Sequence, residues 1–178
     1  WTQVHCHLGS DDVPGRVALL EGEELAAGNT GFAEIVLERE ISVIAGDHFI
    51  LRDAAARRTL GGGQVVDIYT PARRKRSPER LALLRAMPHD DPSEGMILAA
   101  EQQATGIDLN RFALNRNLEP QEVQKLCREH ELKLIAGTAF TRTQWQRLEA
   151  DVLNSLSAEH DRHTDMPGVE HDRLRRLT

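Results

Sequence analysis

The apolar residues of this chain change their spacing once, near Pro71, and no single class of secondary structure satisfies both halves. Before that point, short β-rich runs alternate with turn residues. Val4–Leu8, Arg16–Leu20, Gly31–Leu37, His48–Arg52 and Gln64–Ile68 read as strands. Val13-Pro14-Gly15, Ala27-Gly28-Asn29, Ala45-Gly46-Asp47 and Gly61-Gly62-Gly63 read as their separators, the triple glycine as a bulge or tight crossing of strands. Five short strands at this spacing predict a small antiparallel β-barrel. Only 4% of residues are aromatic, so its core has to rest on Val, Ile and Leu.

After Pro71 the apolar positions recur every three to four residues, and helices are expected. Ser77-Pro78-Glu79 is a start signal, because Ser caps and Pro fits the first turn; the pattern continues to Met87 and stops at Pro88. A second helix is predicted from about Ser93 to Thr105-Gly106, a third from Leu109 to Arg116, and a fourth from near Pro120. The fourth places Val123, Leu126 and Cys127 on one face. Leu132–Ile135 and Ala139–Thr141 flank Gly137-Thr138 as a hairpin. Helices, tight Asn-Arg-Asn turn, helix and hairpin follow the order of a winged helix-turn-helix. A long helix from Thr143 to about His160, a break at Met166-Pro167-Gly168 and a last helical start over 170–177 complete the pattern. The expected organisation is mainly β, then all-α: a barrel at 1–70, a basic linker at 71–78, a winged helix at 79–142 and the start of a second at 143–178. An opening on Trp1, inside a predicted strand, is expected of a piece of something longer.

Charge is distributed as unevenly as structure. The net −6 argues against a wholly basic nucleic-acid binder, yet residues 57–85 hold eight basic groups against two acidic ones. Arg57, Arg58, Arg73, Arg74, Lys75 and Arg76 are the footing a polyanion would find, or else a solvated basic linker. The fourth helix is the recognition helix of the predicted winged module. It and its flanks carry Glu119, Glu122, Glu129 and Glu131 against Lys125 and Arg128, a poor surface for approaching phosphates. A spacer or protein-contact role is therefore favoured over groove reading.

Catalytic patterns are wanting. There is no GxxxxGK[ST], and the triple glycine leads into a strand pattern where a phosphate cradle would lead into a helix. His5-Cys6-His7 sends both imidazoles to one face of a strand and the thiol to the other, with no further ligands indicated. Cys127 falls on a predicted buried face, and no G-x-S-x-G occurs. No cofactor or metal is expected in this chain, and an enzyme is the least favoured class. Two cysteines without a CxxC, no ~20-residue apolar run and no signal segment predict a soluble, cytoplasmic protein.

Three segments carry a family likeness: Gly15–Leu20, Gly46–Asp53, and Arg58–Asp67 with its Arg-Thr-Leu-Gly-Gly-Gly. They resemble the third domain of translational GTPases related to elongation factor Tu. With Pro71–Arg76, Val4-His5-Cys6-His7, Trp145-Gln146-Arg147 and Arg173-Leu174-Arg175-Arg176, the chain looks most like the bacterial SelB family of selenocysteine-specific elongation factors. The resemblance implies a translation-factor barrel followed by the first of several winged helices. It implies that GTP and its magnesium belong to a domain outside this stretch, and that a later winged helix reads the messenger-RNA hairpin.

For this stretch the resemblance leaves a share in holding selenocysteyl-tRNA, on the ribosome, by a monomer. Arg52 and Asp53 occupy the place of an Arg-Glu pair that lies against the tRNA T stem. Arg52 would meet phosphate, and Asp53, one methylene shorter than Glu, would accept from a ribose hydroxyl or guanine amine in the shallow groove. Arg58 matches a basic position of the same pattern, whereas Arg57 and Arg73 to Arg76 are candidates on charge alone. Two other readings stay open: a DNA-binding winged-helix regulator, and a structural protein-interaction module whose basic segment meets an acidic partner.

Overall fold

The computed structural model describes residues 1–88, 91–164 and 168–177. Five strands come first: β1 (Thr2–Leu8), β2 (Asp11–Leu19), β3 (Ala33–Leu37), β4 (His48–Asp53) and β5 (Thr59–Gln64). They pair antiparallel in the order β3-β2-β1-β4-β5, with β1 at the centre. Alternation along β1 sends Val4, Cys6 and Leu8 into the core, where Val13 of β2 joins them. His5 and His7 take the opposite face and are half-buried.

Two sequence expectations are corrected here. Val13-Pro14-Gly15 is not a separator but lies inside β2, with Pro14 opposite His5 and Gly15 opposite Val4. Pro14 is tolerated because it stands where the β2–β3 ladder ends: its carbonyl accepts from the Glu38 amide at 3.0 Å, and the paired register begins at Gly15. The β1–β2 turn falls at Gly9-Ser10 instead, with Gly9 at φ +58°. Likewise Gln64–Ile68 is not a strand: β5 ends at Gln64, and the triple glycine lies within it. The ring of Phe49 occupies the space above Gly63, and a Cβ there would come within 2.7 Å of it. The bulge expected near these glycines is present in the β4–β5 ladder at Leu51/Arg52.

Helices begin with α1 (Pro78–Ala86), capped by the Ser77 hydroxyl, which accepts from the Arg80 amide at 3.2 Å. Next come α2 (Pro92–Glu101), β6 (Ile107–Asp108), α3 (Leu109–Arg116), α4 (Pro120–Glu129), the hairpin β7 (Lys133–Ile135) and β8 (Thr138–Phe140), then α5 (Arg142–Arg162) and α6 (His171–Leu177). The second helix therefore stops at Glu101, short of the expected Thr105-Gly106. Gly106, at φ +75°, makes the bend into β6 in a space where a Cβ would meet Phe140 and Ala139. The hairpin turn is Ala136-Gly137, both at positive φ, and Thr138 already belongs to β8. Met166 and Pro167 of the expected break lie outside the described residues.

Sheet order β6-β8-β7 beside α2, α3 and α4 is the arrangement of a winged helix-turn-helix. Its core is Met96, Ala99 and Ala100 of α2 with Ile107, Phe112, Val123, Cys127 and Ala139. Gln144 of α5 fastens the wing to this core: it donates to the carbonyls of Ala100 and Gln103 at the end of α2. It also completes a capping box with Thr141.

The β and helical units are joined by buried polar contacts. Asn115, 1% exposed, accepts from the Ile68 amide at 2.9 Å and donates to the Val66 carbonyl at 3.4 Å. Its own carbonyl accepts from the Ala45 amide at 2.8 Å. Arg80 meets Asp67 at 2.7 Å, both largely buried, and donates to the Tyr69 carbonyl at 3.0 Å.

Candidate nucleic-acid interface

Strand register decides which of the candidate residues share a surface. In the β1–β4 ladder His5 stands opposite Arg52 and Val4 opposite Asp53. Directly opposed residues of an antiparallel pair share a face, so Arg52 lies with His5 and His7 on the outward face while Asp53 lies on the core side. Arg52 is half-buried, and its Nε is shielded from water with no hydrogen-bond partner among the described residues. A guanidinium nitrogen can only donate, so the partner missing there is an acceptor.

Asp53 is occupied in shaping the turn that follows. Its Oδ1 accepts from the amides of Arg57 at 2.7 Å and Arg58 at 3.2 Å. The Asp53 amide in turn donates to the Arg58 carbonyl at 2.9 Å. These hydrogen bonds, first from Arg57 and then from Arg58, hold the carboxyl below the usual aspartate range. The closed turn, with Ala56 at φ +53°, presents Arg57 and Arg58 as exposed side chains without a charged partner among the described residues.

The basic run after the barrel is placed differently. Lys75 reaches back to the buried carboxylate of Glu34 on β3 at 2.6 Å, and Arg76 donates to the Leu19 carbonyl at 2.8 Å. Arg74 pairs loosely with Glu79 at 3.5 Å, and Arg85 meets Glu21. Arg73 alone of the four consecutive basic residues is exposed without a partner among the described residues. Much of this positive charge therefore straps the helices to the sheet. Beneath the strap lies a cavity of about 490 Å³ with Leu83, Ile107 and Phe112 among its apolar lining. The acids at its edge are matched to arginines, Asp67 to Arg80 and Asp108 to Arg111.

The candidates thus fall into two groups. Arg52 lies on the outward face at the end of β4, with Arg57 and Arg58 exposed in the turn that Asp53 shapes, whereas Arg73 to Arg76 line the seam between units. The fourth helix α4 buries Val123 and Cys127, and burial pushes the Cys127 thiol up. Its exposed side carries the Glu122 carboxylate, which caps the Glu119 amide at 2.7 Å, and a Lys125–Glu129 pair at 3.7 Å. Among the described residues no group of three or more His, Cys, Asp or Glu could hold a metal ion, and no helix is long and apolar enough to cross a membrane.

Sequence reasoning missed two residues, one on this surface and one at the joint between the units. Asp12 of β2 hydrogen-bonds His5, its Oδ1 2.9 Å from Nδ1, and stands 3.8 Å from His7 Nε2. The signal was available in the spacing of His5 and His7 but needed the β1–β2 register to reveal the acid between them. Asn115, expected in a tight Asn-Arg-Asn turn, lies instead in the last turn of α3 and carried no other sequence signal.

Residues 1–72 match the family described as the beta-barrel domain of the selenocysteine-specific elongation factor. The whole chain is similar to the selenocysteine-specific elongation factor of Escherichia coli (strain K12), 32% identical over 181 residues, covering 99% of this chain and 27% of that protein. The selenocysteine-specific elongation factor of Haemophilus influenzae is 26% identical over 98% of the chain and 28% of its own length. A crystal structure of the bacterial selenocysteine-specific elongation factor EF-Sec superposes with a TM-score of 0.65 at 14% identity, covering 98% of this chain and 27% of that one. The chain spans about a quarter of the length of the curated relatives it matches.

Proposed function

Because the homologues of this chain are selenocysteine-specific elongation factors, we propose that it is a segment of such a factor, and that its sheet unit holds one side of selenocysteyl-tRNA. The observation that carries the assignment to this surface is the placing of Arg52 at the end of β4 and of Arg57 and Arg58, exposed, in the turn that follows it, with no carboxylate in ion-pair contact with their side chains among the described residues. Guanidinium groups match phosphate oxygens in geometry and charge, and a shallow A-form groove is gripped mainly through its backbone. Asp53 contributes by fixing the turn. In this reading GTP, its magnesium and the messenger-RNA hairpin are bound by parts of the factor outside these residues. The winged helix is a spacer toward them, and the chain itself does no chemistry. The factor works on the ribosome in the cytoplasm.

The test is binding of a selenocysteine-tRNA transcript to this chain at fixed salt, comparing wild type with Arg52→Ala and with Arg57→Ala/Arg58→Ala. Loss of a charged hydrogen bond is expected to cost about 1.5–3 kcal/mol for Arg52. A steep fall in affinity with added salt, shallower in the double variant, is expected from phosphate contacts. Unchanged affinity in both variants would remove the assignment. The DNA-binding alternative makes the opposite demand on α4: its acidic exposed side predicts no salt-dependent affinity for duplex DNA beyond that of an unrelated acidic protein.

A further inference from the structure

We propose that the RNA grip extends from Arg52 across the central strand to His5 and His7, and that these imidazoles form a protonation-dependent seat for the RNA phosphate backbone. The inference rests on the tRNA reading above and adds residues, and a control by pH, that the reading does not require.

Three strands bring the group together. His5 stands opposite Arg52 on β4, and His7 stands opposite Asp12 on β2. All four side chains share the outward face, where directly opposed residues have Cβ atoms about 4.5–5.5 Å apart. Two polar atoms in this strip are shielded from water and make no hydrogen bond among the described residues: His7 Nε2, which stands 3.8 Å from Asp12 Oδ1, and Arg52 Nε. Folded proteins satisfy most buried polar groups, so two such atoms on adjacent strands mark a place where an external partner supplies the bonds. Arg52 Nε donates only, and His7 Nε2 donates whenever the ring is protonated or carries its hydrogen there. One acceptor chemistry suits both, and phosphate oxygen provides it.

Asp12 is the positioning residue of this seat. An ionised carboxylate only accepts, so the 2.9 Å contact fixes the hydrogen of His5 on Nδ1 and turns Nε2 away from Asp12. The charged and titratable groups facing the imidazoles are Asp12 and Arg16 from β2 and Arg52 and His48 from β4. Arg16 lies over the Trp1 ring at 4.9 Å, and Asp12 is the one acid facing the pair among the described residues. Its carboxyl is held below the usual range, first by the hydrogen bond from His5, and it stays ionised throughout the interval in which histidines titrate. Histidine is the side-chain type whose charge changes between about pH 7.5 and about pH 6, and this face carries His5 and His7. With both rings protonated this face would set one carboxylate against several cations, and the turn bearing Arg57 and Arg58 follows at the end of β4.

The experiment is the affinity of this chain for a selenocysteine-tRNA transcript at about pH 7.5 and about pH 6, at one ionic strength, for wild type, His5→Gln/His7→Gln, His7→Asn and Arg52→Ala. Wild type is expected to bind roughly three- to tenfold more tightly at the lower pH. The double variant is expected to lose that gain, His7→Asn part of it, and Arg52→Ala to bind more weakly at both pH values while keeping it. Far-UV circular dichroism and melting temperature report that the variants fold. A wild-type affinity that does not change with pH, or a folded double variant that retains the gain, overturns the inference while leaving Arg52 in place. A chain that binds the transcript at neither pH, or an Arg52→Ala chain that binds as wild type does, overturns the tRNA reading itself.

Discussion

Arg52 and Asp53 are neighbours that face opposite ways, and their chemistry follows from that. Arg52 keeps a shielded donor without an acceptor among the described residues, whereas Asp53 spends one oxygen on the amides of Arg57 and Arg58. Replacing Asp53 with Ala should open the 54–58 turn, read as faster hydrogen exchange at the Arg57 and Arg58 amides. Asp53→Asn keeps an acceptor oxygen and should exchange much as wild type does. The two also differ in pH dependence. Because the folded-state pKa of Asp53 is depressed, its contribution is complete above the unfolded carboxylate value of about 3.9 and is lost as pH falls through the lower folded value. Asn does not titrate, so urea midpoints for wild type should drop relative to Asp53→Asn between about pH 5 and about pH 2. The Arg-Asp pair and the basic positions were visible in the sequence. Which of them share a face was not, since this depends on which strand lies opposite.

At the scale of elements, the change from a two-residue to a three-to-four-residue period marked the boundary between sheet and helices, because each period is set by backbone geometry alone. Caps were legible for the same reason: Ser77 and the Pro at 78 act within one turn of helix. Misreadings occurred where a distant residue decides the conformation. Pro14 and the triple glycine look like punctuation locally, yet both lie in strands, one at the end of the β2–β3 ladder and the other beneath Phe49. The glycines of β5 can then be ranked by what a methyl group would strike. Gly61 has open space around its Cβ direction, whereas Gly63 faces the Phe49 ring at 2.7 Å. Gly61→Ala should leave stability nearly unchanged. Gly63→Ala should cost about 1–3 kcal/mol by displacing Phe49 from the β4–β5 pair, measured as a shift in urea midpoint with unchanged slope.

Across the whole molecule, a segment that reads as a basic tether is a strap. Lys75 and Arg76 return to β3 and to the end of β2, Arg85 to the loop after β2, and Arg80 is buried against Asp67. A tether would leave the winged helix free to reorient; a strap with a polar lock at its centre fixes it against the sheet. Asn115 is that lock, since one buried side chain in α3 satisfies both the Ile68 amide and the Val66 carbonyl of the segment leaving β5. Asn115→Ala leaves both groups buried and unpaired at about 1–3 kcal/mol for each group that water fails to reach, a cost borne by the joint and not by either core. Calorimetry should therefore show the single wild-type transition separating into two, with the sheet and the winged helix melting apart. Small-angle scattering at low temperature should show a larger radius of gyration. Asn115→Asp keeps the acceptor for Ile68 but loses the donor to Val66, and it should fall between the two. If Asn115→Ala melts in one transition at a uniformly lower temperature, the two units share their stability through the strap alone. In that case Arg80→Ala, which strands the buried Asp67 carboxylate at about 3–5 kcal/mol, becomes the substitution that separates them.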